Sequence, residues 1–283
     1  MMTELKTVRP SPIAGTWYSA NPDRLRKTID SYIEKAALPN LPGEVVALVA
    51  PHAGYQYSGS VAGHAYKAIA GKSFDTVAVI SPMHQYHPRP LLTSAHRAYG
   101  TPLGEIPLAA EKVAEINTAL QERAGVSLTP INNDREHSLE IELPFLQRAI
   151  KGEFNLIPIM LRDQSRAIAQ TLGEILAEEL QGESCLLVAS SDLSHFYPET
   201  VANQLDNRVL SALNDFSPDG LFDLKDQGKG HACGLAAIAA VLWSARKLGA
   251  KDVTLLCYDT SASTTGDKSS VVGYGAAAIT RPV

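Results

Sequence analysis

Two stretches, Glu44-Val45-Val46-Ala47-Leu48-Val49-Ala50-Pro51-His52 and Thr76-Val77-Ala78-Val79-Ile80-Ser81-Pro82-Met83-His84, decide the fold. Each begins as an uninterrupted apolar run, the pattern of a strand buried on both faces. Each is then stopped by a proline with a histidine close behind. Between them, residues 55–70 carry small and apolar side chains at helical spacing, and Gly71 marks a stop. Strand, helix and strand at this spacing form a βαβ unit, which predicts two parallel strands.

The same alternation continues outward. Residues 154–160, 184–189 and 252–258 read as further buried strands, with 271–276 as a last one. Helices are predicted over 164–180, 199–214 and 233–248, the last ending on Arg246 and Lys247 with Gly249 as its cap. Residues 81–107, richer in Pro, His and Tyr, read as loops and short strands over the sheet. Residues 261–270 read as polar and aperiodic. With no Gly/Ser linker and no break in composition, residues 1–283 read as one α/β domain, a central mostly parallel or mixed sheet flanked by helices.

Composition excludes several function classes. The chain has 283 residues, 45% hydrophobic and 19% charged, with a formal net charge of −5. That is ample material for a buried core and the opposite of a disordered composition. An acidic balance without a basic cluster argues against nucleic acid as partner. No window approaches the ~20 apolar residues needed to cross a membrane. Residues 1–12 lack the positive start and apolar core of a signal peptide. Three distant cysteines form neither a disulfide framework nor a CxxC pair. These features predict a cytoplasmic protein.

In open α/β sheets, ligands bind beyond the carboxyl ends of the strands. There the chain places Pro51-His52-Ala53-Gly54-Tyr55, Ser81-Pro82-Met83-His84 and Ser190-Ser191-Asp192-Leu193-Ser194-His195. Strands lie about 4.8 Å apart, so His52, His84, Asp192 and His195 can converge. Two imidazoles and one anionic ligand make a transition-metal site, and a two-histidine, one-carboxylate set favours non-haem Fe(II). On this reading the third ligand is Asp192 or Cys233, which precedes a predicted helix whose N-terminus favours a thiolate. Asp192, three residues before His195, can set that histidine up as a general acid or base.

In Arg135-Glu136-His137-Ser138-Leu139-Glu140-Ile141-Glu142, His137, Glu140 and Glu142 are candidates to orient metal ligands. Tyr18 and Tyr55 are candidates to line a pocket, and Trp17 is expected to be buried under the N-terminal segment. Cys185 and Cys257 read as core residues, and His64, His87 and His96 as structural. Arg89 and Arg97 border the strand ends, where they could pair with an anion.

Several of these motifs, in order, resemble the MEMO family, whose prokaryotic members are called AmmeMemoRadiSam system protein B. The motifs are Arg9-Pro10-Ser11-Pro12-Ile13-Ala14-Gly15-Thr16-Trp17-Tyr18 and the segments at 51–55, 81–84, 136–140 and 190–195. The family's fold is similar to LigB-type class III extradiol dioxygenases, which open catechol rings with non-haem iron. The resemblance implies that His52 and His84 are metal ligands and that Cys233 stands where the dioxygenases have a glutamate. It also implies that His195 matches their acid/base histidine and that Asp192 lies close to the metal. A thiolate shifts metal preference toward Cu(I) or Zn and alters the redox behaviour of iron. The family name further implies a functional link to a radical SAM protein and an AMMECR1-like protein.

Three readings follow. The first is a metal-dependent redox or oxygenase-type enzyme holding Fe(II), with copper or zinc as alternatives, and acting on an unidentified substrate. The second is a binding module for a peptide or small metabolite that keeps the pocket without turnover. The third is a hydrolase with Cys233 as nucleophile and His195 as base, which leaves His52 and His84 without a role.

Overall fold

A computed structural model describes residues 7–282. Residues 1–6, half of the segment read for a signal peptide, and residue 283 lie outside the described residues. The strands are β1 (Val8–Arg9), β2 (Glu44–Ala50), β3 (Thr76–Pro82), β4 (Leu91–Ser94), β5 (Ala98–Thr101), β6 (Gly104–Pro107), β7 (Leu128–Ile131), β8 (Asn155–Leu161), β9 (Cys185–Ser190), β10 (His195–Tyr197), β11 (Asp252–Thr260) and β12 (Val271–Arg281). The helices are α1 (Pro22–Lys35), α2 (Tyr55–Lys67), α3 (Ala110–Ala124), α4 (Leu143–Ala149), α5 (Arg166–Glu179), α6 (Glu199–Asn214), α7 (Pro218–Asp226), α8 (Leu235–Lys247) and α9 (Ala262–Thr265).

Among the described residues, nine strands form one mixed sheet in the order β10-β12-β2-β9-β3-β8-β4-β7, with β11 on the other edge of β12. Its centre, β2-β9-β3-β8, is parallel. Antiparallel pairs flank it at β12/β2 and β4/β8. The two strands that opened the sequence reading are parallel, with β9 inserted between them. The region 81–107 does not all lie over the sheet: β4 is part of it, while β5 and β6 join β1 in a small second sheet.

Side chains of the central strands alternate between two cores. Val77 and Val79 of β3 and Leu186 and Val188 of β9 face one core, packed under α1, α2 and α4. Ala78 and Ile80, with Leu187 and Ala189, face the other, built mainly from α5 and α8. Burial on both faces is why these strands read as unbroken apolar runs. Close packing on one side depends on Gly63 of α2, where a Cβ would lie 2.7 Å from the Tyr32 carbonyl oxygen of α1.

Three parallel neighbours, β2, β9 and β3, therefore end side by side. Their carboxyl ends deliver His52, the 190–195 loop and His84 to one edge of the sheet.

Candidate metal centre

The turn before α8 completes this edge. Helix α8 begins at Leu235, so Cys233 lies just ahead of it rather than inside it. Gly234 permits the approach: a Cβ there would collide with the Ser190 carbonyl oxygen and lie 2.8 Å from Ser191 Cβ. The turn and the loop are then laced together. The Cys233 backbone N–H donates to Asp192 O at 3.2 Å, the Gly234 N–H to Ser191 Oγ at 2.9 Å, and the Asp192 N–H to Cys233 Sγ at 3.3 Å.

One ligand atom each from His52, His84 and Cys233 lies within 4.8 Å of the others. Both histidines have a fixed tautomer. Ser190 Oγ donates to Ser138 O at 2.5 Å, so the 2.9 Å contact with His52 makes Nδ1–H the donor and leaves Nε2 with its lone pair. That nitrogen is 3.1 Å from Cys233 Sγ. His84 Nδ1 lies 2.9 Å from Glu136 Oε1, and a carboxylate can only accept, so its Nε2 is free as well. Two imidazole nitrogens and a sulfur, each with an open lone pair, suit a transition metal of the iron, copper or zinc kind.

Electrostatics follows from burial. His52, buried, is held well below the ordinary histidine range, and the neighbouring His137 and His84 add to this. Burial, then the Asp192 carboxylate, pushes the Cys233 thiol up. Burial also pushes Asp192 up to about 7, against the hydrogen bonds it accepts from the His52 and Ala53 backbones. Its Oδ1 takes the His52 N–H at 2.8 Å, and its Oδ2 stands 4.0 Å from His52 Nε2. Burial works to raise Glu136 too, but the hydrogen bonds it accepts from the His84 ring and the Ser138 N–H hold it well below the usual carboxylate range.

Above these groups opens a cavity of about 600 Å³ whose lining includes His52, His84, His137, Asp192 and His195. His195 donates Nδ1–H to Leu193 O at 2.8 Å, leaving Nε2 available. Burial lowers its pKa, with His231 contributing. His137 is a further imidazole of the lining. Its ring stacks on His84 at 4.7 Å and packs tilted against Trp17 at 4.2 Å, and burial lowers it to about 4.

Several sequence expectations need correction. Trp17 is not buried under the N-terminal segment; it lines the cavity. Tyr55 is not a cavity residue: it is buried, donates to Ile141 O at 2.8 Å and packs on Phe145, while Tyr57 lines the cavity instead. Tyr18 donates to Glu140 Oε1 at 2.8 Å beneath the site. Glu140 reaches no metal-ligand candidate; Arg9, Ser11 and Tyr18 occupy its two oxygens. Arg89 and Arg97 are exposed and do not line the cavity. Sequence reasoning missed Tyr57 and Phe196, because nothing in a single sequence marks which loop residues meet at a cavity mouth.

Sheet order and site together define an α/β protein with a histidine–cysteine cluster at the carboxyl ends of its parallel strands. The family model described as Memo-like protein matches residues 9–278, and the chain belongs to that family. It is 32% identical over 274 residues to a MEMO1 family protein of Nitrosopumilus maritimus, covering 95% of this chain and 98% of the relative. It is 34% identical over 282 residues to one from Methanopyrus kandleri, covering 95% and 97%. Among solved structures, an uncharacterized Escherichia coli K12 protein shares the fold, with a TM-score of 0.53 and 15% identity over 82% of this chain and 99% of that one. Among the described residues, no helix is long and apolar enough to cross a membrane.

Proposed function

We propose that this protein binds one transition metal through His52, His84 and Cys233 and uses it for redox or oxygenase-type chemistry on a small molecule. Iron(II) is the first candidate, and copper or zinc the alternatives. The observation that carries this reading is the triple convergence of open donor atoms, with Ser190 and Glu136 each fixing the tautomer that turns a histidine Nε2 toward the cluster. When bound, such a metal supplies a Lewis acid and, for iron or copper, an electron-transfer centre.

The chain's own residues do the rest. Asp192 anchors the His52 backbone and presents its second oxygen to the ligand site. With a pKa near 7 it can hold or release a proton there. His195 lines the same cavity and uses Nδ1 on Leu193 O, so its Nε2 is left to move a proton to or from a bound small molecule. A cytoplasmic location belongs to this reading, supported by three free thiols and the lack of a disulfide framework.

The test is metal uptake by His52→Ala and His84→Ala under anaerobic conditions, with circular dichroism to check folding. Folded variants that lose metal support the ligand set. Folded variants that keep full occupancy contradict it.

A further inference from the structure

Phe196 holds a left-handed backbone conformation although it is largely exposed. Strand β10 pairs with β12 through His195 opposite Val272 and Tyr197 opposite Val271, so Phe196 is the extra residue of a β-bulge. Its φ is 65°, in the left-handed region that glycine adopts freely and a bulky side chain does not. Its ring is nevertheless 74% exposed. Phe216 makes the comparison useful. It also has a positive φ, of 53°, but is 9% exposed and lies under the Arg246 guanidinium, so burial offsets its backbone. Phe196 has no such burial.

Bulges beside functional sites re-aim a side chain. Here the bulge sets the Phe196 ring at the wall of the cavity, edge-on to His195 with centroids 5.6 Å apart. Trp17, Tyr57 and Tyr274 belong to the same lining. Among the described residues that lining contains no lysine or arginine, and Asp192 is its one carboxylate. A phosphorylated ligand would therefore find no charged fork to replace its hydration.

We propose that Phe196 is a specificity-determining ligand contact, held strained so that its ring covers a flat, apolar, uncharged part of the ligand entering this cavity. This rests on the cavity being the ligand site, as in the function proposed above, but not on which metal is held.

The test is equilibrium dialysis of the full chain, with and without zinc, against 2-naphthol and 2-naphthyl phosphate. Wild type is expected to take 2-naphthol more tightly than its phosphate. Phe196→Gly is expected to weaken 2-naphthol binding about fivefold, the scale of one lost aromatic contact. Its melting temperature should hold or rise, because glycine relieves the backbone. Phe196→Leu, which keeps the bulk and the strain, should lose a similar share of affinity. Unchanged 2-naphthol affinity in Phe196→Gly overturns the proposal, as does failure of wild type to bind 2-naphthol or equal binding of the phosphate. Zinc uptake is read separately: zinc refused while 2-naphthol is bound contradicts the metal reading alone.

Discussion

Glu136 holds His84 at two points: one carboxylate oxygen accepts the ring Nδ1–H at 2.9 Å and the other accepts the backbone N–H at 2.6 Å. The backbone N–H groups of His137 and Ser138 also donate to the first oxygen, each at 3.0 Å. The carboxylate is thus fully committed to orienting one histidine and its neighbours, the outer-shell arrangement that makes an imidazole a directed ligand.

Glu136→Gln places an amide N–H₂ against donors that need an acceptor. We expect zinc affinity, measured by competition with a chromophoric chelator, to fall about 10- to 100-fold while the fold is kept. An unchanged affinity would mean that His84 does not depend on Glu136 for its orientation.

The N-terminal motif is fastened to the same segment. Arg9, 1% exposed, makes a forked pair with Asp134 at 2.9 and 2.7 Å and reaches Glu140 Oε2 at 2.6 Å and Glu136 O at 3.0 Å. Removing one partner of a buried pair leaves the other charges stranded, so Arg9→Met should destabilise by about 3–5 kcal/mol in urea unfolding. Arg9→Lys should recover only part of this, because lysine lacks the fork. A loss under about 1 kcal/mol for Arg9→Met, the scale of an exposed pair, would contradict the assignment.

A pH dependence follows from Glu142. It is buried, bonded to the Tyr66 hydroxyl at 2.6 Å, and burial pushes its carboxyl from 4.5 to about 8. The folded state therefore binds a proton that the unfolded state has released between those values. Glu142's contribution to stability is full below about 4.5 and is lost as pH rises through about 8. Unfolding free energies measured across that window should show the decline, and Glu142→Gln should flatten it. Asp192, raised to about 7, contributes in the same direction and keeps some slope in the variant. A profile identical to wild type would mean that Glu142 is not protonated in the fold.

The sheet and most of the site were legible because both rest on strand ends. The runs at Glu44–Ala50 and Cys185–Ser190 are buried on two faces, so their apolar character is continuous and their stops are sharp. Strand β12 runs on to Arg281, past the expected end at residue 276, because its alanines carry little strand preference and are held by β2 and β11. Helix α1 buries Leu25, Ile29 and Ile33 at four-residue spacing, a helical signal present in the sequence. The Tyr55 error is one of helix phase. At 3.6 residues per turn, two positions differ by about 200°, so a histidine-side motif that points Tyr57 to the cavity must point Tyr55 into the core. The ring contact of Trp17 with His137 joins residues 120 positions apart, and no local pattern encodes it.

The proposal that Cys233 holds the metal with His52 and His84 rests on their convergence. Metal content of protein purified and kept anaerobically, for wild type and Cys233→Ser in parallel, tests it most directly. Stoichiometric iron or copper is expected in wild type, with its loss or marked weakening in a folded variant. Equal metal in both proteins, or none in wild type after reconstitution, would contradict it.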